Sequence, residues 1–250
     1  MMTIVTTVTG NNLSYLEKFI FSMNVFLSKY DKQLIVYTDQ QEKVKSILSS
    51  VICSSLKDIR MFDLQIPASV IERYKISLLN AATRYVKDND YIFFIDVETL
   101  FIANSNTENL EMFLKEDWFI SSLDSSYLDK TVDDRSREYT NQILESFKGS
   151  CTIDDIKDCI CKYYSSSLFG LRRDKVRDLY IKYESLLNSD IQNNYYDNFT
   201  KEYLTKIYEK TYVYNNALCI NNDIVCKNGI TNIDDLIIAY PNILALQYYQ

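Results

Sequence analysis

The sequence contains no histidine, only four glycines and only two prolines among its 250 residues. Without an imidazole the chain cannot perform Ser-His-Asp or Cys-His catalysis, and it cannot hold zinc through histidine. Acid, base or metal chemistry, if the chain has any, therefore falls to its aspartates and glutamates.

A basic excess and a long hydrophobic run are also absent. The formal net charge of −7 argues against the broad basic surface that sequence-independent binding of nucleic acid or an anionic membrane requires. No apolar stretch approaches the roughly 20 residues of a membrane-spanning helix. The segment 1–5 lacks the features of a signal peptide, so we expect a cytoplasmic protein without a transmembrane segment. The six cysteines show no disulfide or zinc-finger spacing. The excess of Asn, Lys, Ile and Tyr is typical of an AT-rich bacterium or a virus.

Apolar, strand-like segments alternate with amphipathic helical patterns along the chain. Strands are predicted at 3–8, 34–37, 59–64, 90–95, 165–170 and 211–214, with helices at 13–27, 42–48, 69–86, 174–187 and 196–208. Asn11 and Asn12 are expected to cap the first helix. This alternation predicts an α/β fold with a Rossmann-like sheet flanked by helices, and no linker or repeat divides it.

Two carboxylates follow the most hydrophobic of these strands. Asp96 and Glu98 are separated by Val97, and ligands of such sheets bind at the carboxyl ends of the strands. With a side-chain period of two residues, both carboxylates would leave the strand on the same side. Their oxygens suit a hard cation such as Mg²⁺ or Mn²⁺. The sequence thus predicts a metal site, the alternative being two solvated carboxylates in a loop.

The segment 91–101, Tyr-Ile-Phe-Phe-Ile-Asp-Val-Glu-Thr-Leu-Phe, resembles the Asp-x-Asp segment of glycosyltransferases with the GT-A fold. It is most similar to that of glycosyltransferase family six, which includes the histo-blood-group A and B transferases and α-1,3-galactosyltransferase. Glu98 replaces the second aspartate of that family's motif. Arg73 and Lys75 are similar in type and spacing to the family's Arg-x-Lys, with Arg73 lying 23 residues before Asp96. Segments 15–19, 36–40 and 168–170 also resemble family segments, the last of them a strand end bordering the acceptor site.

The resemblance implies a single GT-A domain over 1–250, with a nucleotide-binding half at 1–102 and an acceptor-side half at 103–250. It implies a retaining transferase that moves galactose or N-acetylgalactosamine from a UDP-sugar to a glycan acceptor, with Mn²⁺ (or Mg²⁺) held by Asp96 and Glu98. The resemblance places Val8 and Thr9 beside the uracil, and it places Arg73, Lys75, Asp96 and Val97 at the donor. Asp197 is expected at the donor sugar, and Ser165 on the acceptor side. Arg73 is otherwise a surface charge on a helix. Trp118 is a candidate platform for a sugar face, or else a core residue.

One departure from the family affects catalysis. The family's catalytic Glu aligns with Asn198, next to Asp197. An amide can neither form a glycosyl ester nor supply negative charge to an oxocarbenium-like transition state. A front-face route with the leaving phosphate as base, substitution by Asp197, and loss of transfer all remain open. The alternative hypotheses are therefore another GT-A transferase, glycogenin-like, and a catalytically impaired GT-A protein with a binding or regulatory role.

Overall fold

The computed structural model describes residues 1–51, 55–67, 71–87, 90–102, 118–123, 163–187, 211–214, 219–221, 232, 234–235, 238 and 245–247. For 72–73, 118–123, 163–167, 182–183, 185–187 and the last three strands, only the course of the backbone is described.

Strands and helices alternate in the first part of the chain, as predicted. They are β1 (Met2–Val8), α1 (Leu16–Phe26), β2 (Lys32–Thr38), α2 (Gln41–Ser50), β3 (Leu56–Asp63), α3 (Ile71–Ala82), β4 (Tyr91–Ile95) and β5 (Thr99–Phe101). Short 3-10 turns at Leu13–Tyr15 and Thr83–Tyr85 precede α1 and follow α3. The described elements that follow are β6 (Trp118–Leu123), β7 (Tyr163–Arg172), α4 (Arg173–Leu187), β8 (Thr211–Tyr214), β9 (Cys219–Asn221) and β10 (Ala245–Gln247). The predicted helix at 196–208 lies outside the described residues.

The main sheet has seven strands in the order β3-β2-β1-β4-β7-β6-β8. The four strands from β3 to β4 run parallel, β7 is antiparallel to both β4 and β6, and β8 is parallel to β6. A smaller sheet has the order β5-β10-β9. The main sheet is thus mixed but mostly parallel, and it joins strands from before and after residue 102.

Helices cover both faces of this sheet, and β4 contributes to both layers of the core. Its residues Tyr91, Phe93 and Ile95 pack in the cluster formed with α1 and α2. Ile92 and Phe94 pack on the other side, in the cluster formed with α3 and α4. A strand buried on both faces explains why this segment has no polar residue, as its sequence indicated.

The prediction that the strand at 165–170 enters a turn at its end was wrong, because β7 continues past Gly170 to Arg172. Gly170 lies within β7 and opposite Phe93 of β4. A Cβ atom at this position would lie 2.3 Å from Cδ1 of Phe93. The ring of Phe93 occupies the space that a larger residue would need, so the glycine is required for packing.

Candidate active site

The loops that follow β1 and β4 meet at one edge of the main sheet. These two strands are parallel neighbours, paired from Met2 with Tyr91 to Val5 with Phe94. Their carboxyl ends therefore lie at the same edge, where ligands of α/β sheets bind. Residues 9–12 extend from one strand and residues 96–98 from the other.

Asp96 forms an ion pair with Lys75 at this edge. The alternation along β4 places Asp96 on the face of Ile92 and Phe94, towards α3, which carries Lys75. The Lys75 Nζ atom lies 2.8 Å from Oδ1 and 2.9 Å from Oδ2 of Asp96. Lys75 is fully buried, and the side chain of Asp96 is 12% exposed. The ammonium group, which also lies 5.3 Å from the centre of the Phe94 ring, therefore neutralises this carboxylate.

Glu98 is held differently, by a neutral amide. The Nδ2 atom of Asn12 donates a hydrogen bond of 2.9 Å to Oε1 of Glu98. The Oδ1 atom of the same amide accepts a bond of 2.7 Å from the backbone N–H of Thr9. Asn12 was expected to cap the first helix, but its side chain makes no capping bond to the 3-10 turn that follows it. It instead connects the end of β1 to the turn after β4.

The two carboxylates lie on a turn rather than on an extension of the strand. The backbone N–H of Thr99 donates to the carbonyl oxygen of Asp96 at 2.9 Å, which closes a four-residue turn. Val97 is fully buried within this turn and packs in the core on the α1 side. The assumption of a continued two-residue alternation was therefore wrong, because the chain turns immediately after Asp96.

The residues of this turn fit a divalent cation that arrives with its own phosphate ligands. Lys75, Asp96 and Glu98 together carry a charge of −1, and within the described ranges Glu98 has no cationic partner. Among the described residues there is no group of three or more cysteine, aspartate and glutamate side chains able to enclose a metal. Mg²⁺ is commonly held by one or two carboxylates together with substrate phosphates. Two carboxylate ligands are therefore enough for such a site.

The remaining predicted site residues fall at different levels of the sheet. Val8 and Thr9 are buried at the carboxyl end of β1. The pairing of β4 with β7 ends where Ile95 pairs with Leu168, and Ser165 lies in β7 beyond this point. The backbone of Ser165 is therefore at the same edge of the sheet as Asp96, here called the Asp96 edge. Trp118 begins β6 opposite Leu171, which itself pairs with Ile92 near the amino end of β4. The backbone thus brings Ser165, but not Trp118, to the Asp96 edge.

The other predicted residues can be placed only coarsely. Arg73 lies in α3, where only its backbone is described. Asp197 and Asn198 lie outside the described residues. Asn12, by contrast, was missed as a site residue, although it lies in the loop that follows a buried parallel strand, four residues after Val8. No helix in the described part of the chain is long and apolar enough to cross a membrane.

Compared by sequence, the chain matches no family model and no curated relative. Solved structures nevertheless share its fold over its whole length. The galactosyltransferase LgtC, in complex with donor and acceptor sugar analogs, aligns with a TM-score of 0.59 and 13% identity over 100% of this chain and 87% of its own. Mouse xyloside xylosyltransferase 1 in its apo form aligns with a TM-score of 0.56 and 11% identity over 99% of this chain and 97% of its own.

The chain has the GT-A fold of glycosyltransferases. An active-site mutant of LgtC gives a matching result, with a TM-score of 0.58 and 13% identity over 100% of this chain and 88% of its own. The predicted fold class is therefore confirmed. These likenesses do not identify glycosyltransferase family six among the members of the GT-A fold. In this GT-A chain, the turn carrying Asp96 and Glu98 follows the central strand β4 at the ligand-binding edge.

Proposed function

We propose that this chain is a glycosyltransferase that binds the diphosphate of a nucleotide-sugar through a divalent cation at Asp96 and Glu98. The observation that carries the proposal is the pair of carboxylates on the turn after β4, at the ligand edge of a GT-A sheet. Each carboxylate is held by a partner, Asp96 by Lys75 at 2.8 Å and Glu98 by Asn12 at 2.9 Å. Two oxygen ligands, each oriented by a hydrogen-bonding partner, suit a cation that also binds phosphate.

The electrostatics of the chain support a bridging cation. A net charge of −7 repels a diphosphate, and Glu98 retains its charge because its partner among the described residues is the neutral amide of Asn12. When bound, the cation supplies positive charge to the leaving diphosphate. Lys75 holds Asp96 in place, and the end of β1 at Val8 and Thr9 would border the nucleotide base.

The finer assignment follows the resemblance to glycosyltransferase family six. It gives a UDP-sugar donor carrying galactose or N-acetylgalactosamine, a glycan acceptor, Mn²⁺ (or Mg²⁺) as the cation, and transfer with retention. The structures of the same fold include a galactosyltransferase and a xylosyltransferase, so they support transfer of a sugar without selecting a hexose. Arg73 and Lys75 assist at the donor, Asp197 contacts the donor sugar, and Ser165 lies on the acceptor side.

The direct test is a panel of UDP- and GDP-sugars incubated with the purified protein, with Mn²⁺ or with EDTA. We expect Mn²⁺-dependent release of the nucleotide from one donor, and Mn²⁺-dependent binding of UDP. Glu98→Gln should weaken that binding by tenfold or more and leave thermal unfolding unchanged, because Glu98 makes no ion pair within the described ranges. Glu42→Gln, an exposed glutamate of α2, is the matched control. No binding of any nucleotide diphosphate, with or without Mn²⁺, would refute the proposal.

A second candidate function is that of a GT-A protein that binds the donor but has lost transfer. Asn198 favours it, because this amide aligns with the family's catalytic Glu. Tight, Mn²⁺-dependent nucleotide binding without turnover across an acceptor screen would support this candidate. Turnover by the wild-type chain would exclude it.

A further inference from the structure

The side chain of Asn12 has one defined orientation in the site. Its amide faces the backbone N–H of Thr9 on one side and the carboxylate of Glu98 on the other. The N–H group can only donate and the carboxylate can only accept, so the amide oxygen must face Thr9 and the NH₂ group must face Glu98. The two hydrogen bonds, at 2.7 and 2.9 Å, therefore fix each other's direction.

The backbone holds Asn12 as firmly as its side chain does. Its N–H donates to the carbonyl oxygen of Thr9 at 3.2 Å, and its own carbonyl oxygen accepts from the N–H of Tyr15 at 3.1 Å. Asn12 is thus anchored between the end of β1 and the start of α1. A side chain held at both its backbone and its amide is a rigid support for a partner across the sheet edge.

Glu98, in contrast, needs such a support. It is a long side chain on a turn, partly exposed, and ordering its rotamers costs free energy. Asp96 is ordered by the buried ammonium of Lys75, but within the described ranges Asn12 is the partner that the carboxylate of Glu98 contacts. Because the partner is a neutral amide, Glu98 is oriented without losing its negative charge. A cationic partner would orient it and also neutralise it.

We propose that Asn12 is the positioning residue for Glu98 and sets the affinity of the site for the divalent cation. The inference rests on the proposed function, in which Glu98 binds that cation. Residues that hydrogen-bond a metal ligand fix its orientation, and their removal typically lowers metal affinity by about 10- to 100-fold. Asn12 also connects the metal ligand to Thr9, at the border of the nucleotide base.

The test compares Asn12→Ala with Asn80→Ala, a half-buried residue of the same type near the end of α3 and therefore a matched control outside the loop after β1. Three quantities are measured on the full chain: the Mn²⁺ concentration that half-saturates UDP binding, the UDP affinity in EDTA, and the thermal unfolding midpoint without metal. For Asn12→Ala we expect the half-saturating Mn²⁺ concentration to rise roughly tenfold. The UDP affinity in EDTA should change less than twofold, and Asn80→Ala should match the wild type in both binding quantities.

Different results separate the inference from the proposed function. If the wild-type chain shows no Mn²⁺-dependent nucleotide binding, the proposed function fails and this inference fails with it. If the wild type binds but Asn12→Ala leaves the Mn²⁺ requirement unchanged, only the inference is overturned. An equal loss of UDP affinity with Mn²⁺ and in EDTA would also overturn it, since Asn12 would then act by shaping the loop beside the base.

Discussion

The Nζ atom of Lys75 lies 2.8 Å from one carboxylate oxygen of Asp96 and 2.9 Å from the other, and Lys75 is entirely buried. Moving an ammonium group out of water is costly unless a partner compensates for the lost hydration. Lys32, the other fully buried lysine of the described core, shows a different solution: its Nζ donates to the carbonyl oxygens of Leu27 and Tyr30 and to the hydroxyl of Ser55. Asp96 therefore stabilises the fold as well as contributing to the candidate site.

The pairing of Lys75 with Asp96 predicts that the effects of their substitutions are coupled. Lys75→Met keeps most of the side-chain volume but leaves a largely buried carboxylate without its counter-ion, so we expect the free energy of unfolding to fall by about 3 kcal/mol. Adding Asp96→Asn should recover part of this loss, because the remaining group is then neutral. Urea unfolding of the two single variants and the double variant measures the coupling. Lys45→Met, an exposed lysine of α2, is the control, and strictly additive losses would contradict the ion pair.

The fold was largely predictable from the sequence, because its core strands are buried and their segments are therefore apolar. The apolar run of β4 identified the central strand, and the carboxylates that follow it predict a ligand site at the end of that strand. The amino end of β2 was missed, since Lys32 and Gln33 are polar and yet buried. Their burial depends on acceptors from other elements, such as Ser55 and Asp58, and no local pattern encodes those contacts.

The contacts within the site were harder to predict than its location. The resemblance to glycosyltransferase family six implied that Lys75 belongs to the site, but its ion pair with Asp96 exists only once α3 has packed on the sheet. Asn12 was interpreted as a helix cap because local sequence favours that role. Its contact with Glu98, 86 residues further along the chain, is a tertiary contact that overrides the local preference.

Gly170 provides a stability prediction in the centre of the sheet. In Gly170→Ala the new Cβ atom would lie 2.3 Å from Cδ1 of Phe93, so the ring or the strand must move. Overpacking of this kind costs about 1–3 kcal/mol in unfolding free energy. Phe93→Leu should lower the free energy of unfolding less in the Gly170→Ala background than in the wild type, because the smaller side chain relieves the clash. Gly10→Ala is the control, since its Cβ would make only an ordinary contact of 3.8 Å with Gln40. Equal losses in the two backgrounds would contradict the clash.

Tyr37 predicts a pH dependence in the alkaline range. Burial raises the pKa of Tyr37 from 10.0 to about 12, with Tyr85 adding to the rise and Arg84 opposing it. As the pH rises above 10, the unfolded tyrosine ionises while the folded one keeps its proton. The folded state is therefore stabilised by this group fully below pH 10, and it loses that contribution as the pH rises towards 12.

Tyr37→Phe separates this effect from the titration of the other tyrosines. At pH 7 the variant should be less stable by about 1 kcal/mol, because it loses the hydrogen bond of 3.2 Å to the carbonyl oxygen of Leu78. Above pH 10 the difference in unfolding free energy between the wild type and the variant should narrow. Ionisation of Tyr37 then stabilises the unfolded wild type, whereas the variant has no phenol at this position to ionise. Urea unfolding at pH 7, 10 and 11 measures it, with Tyr74→Phe as the matched control for a lost phenol. A difference that stays constant with pH would contradict the prediction.

The length of Glu98 is the last feature with a testable consequence. The more usual motif of the resembling family has aspartate at this position, so Glu98→Asp restores a common sequence. It also withdraws the carboxylate by about 1.5 Å, the length of one carbon–carbon bond, and breaks the 2.9 Å hydrogen bond from Asn12. If Asn12 orients the ligand, Glu98→Asp should raise the half-saturating Mn²⁺ concentration several-fold, although the charge and the ligand type are unchanged. If Glu98→Asp binds Mn²⁺ as well as the wild type does, the turn alone orients the carboxylate, because an aspartate at position 98 lies beyond the reach of Asn12.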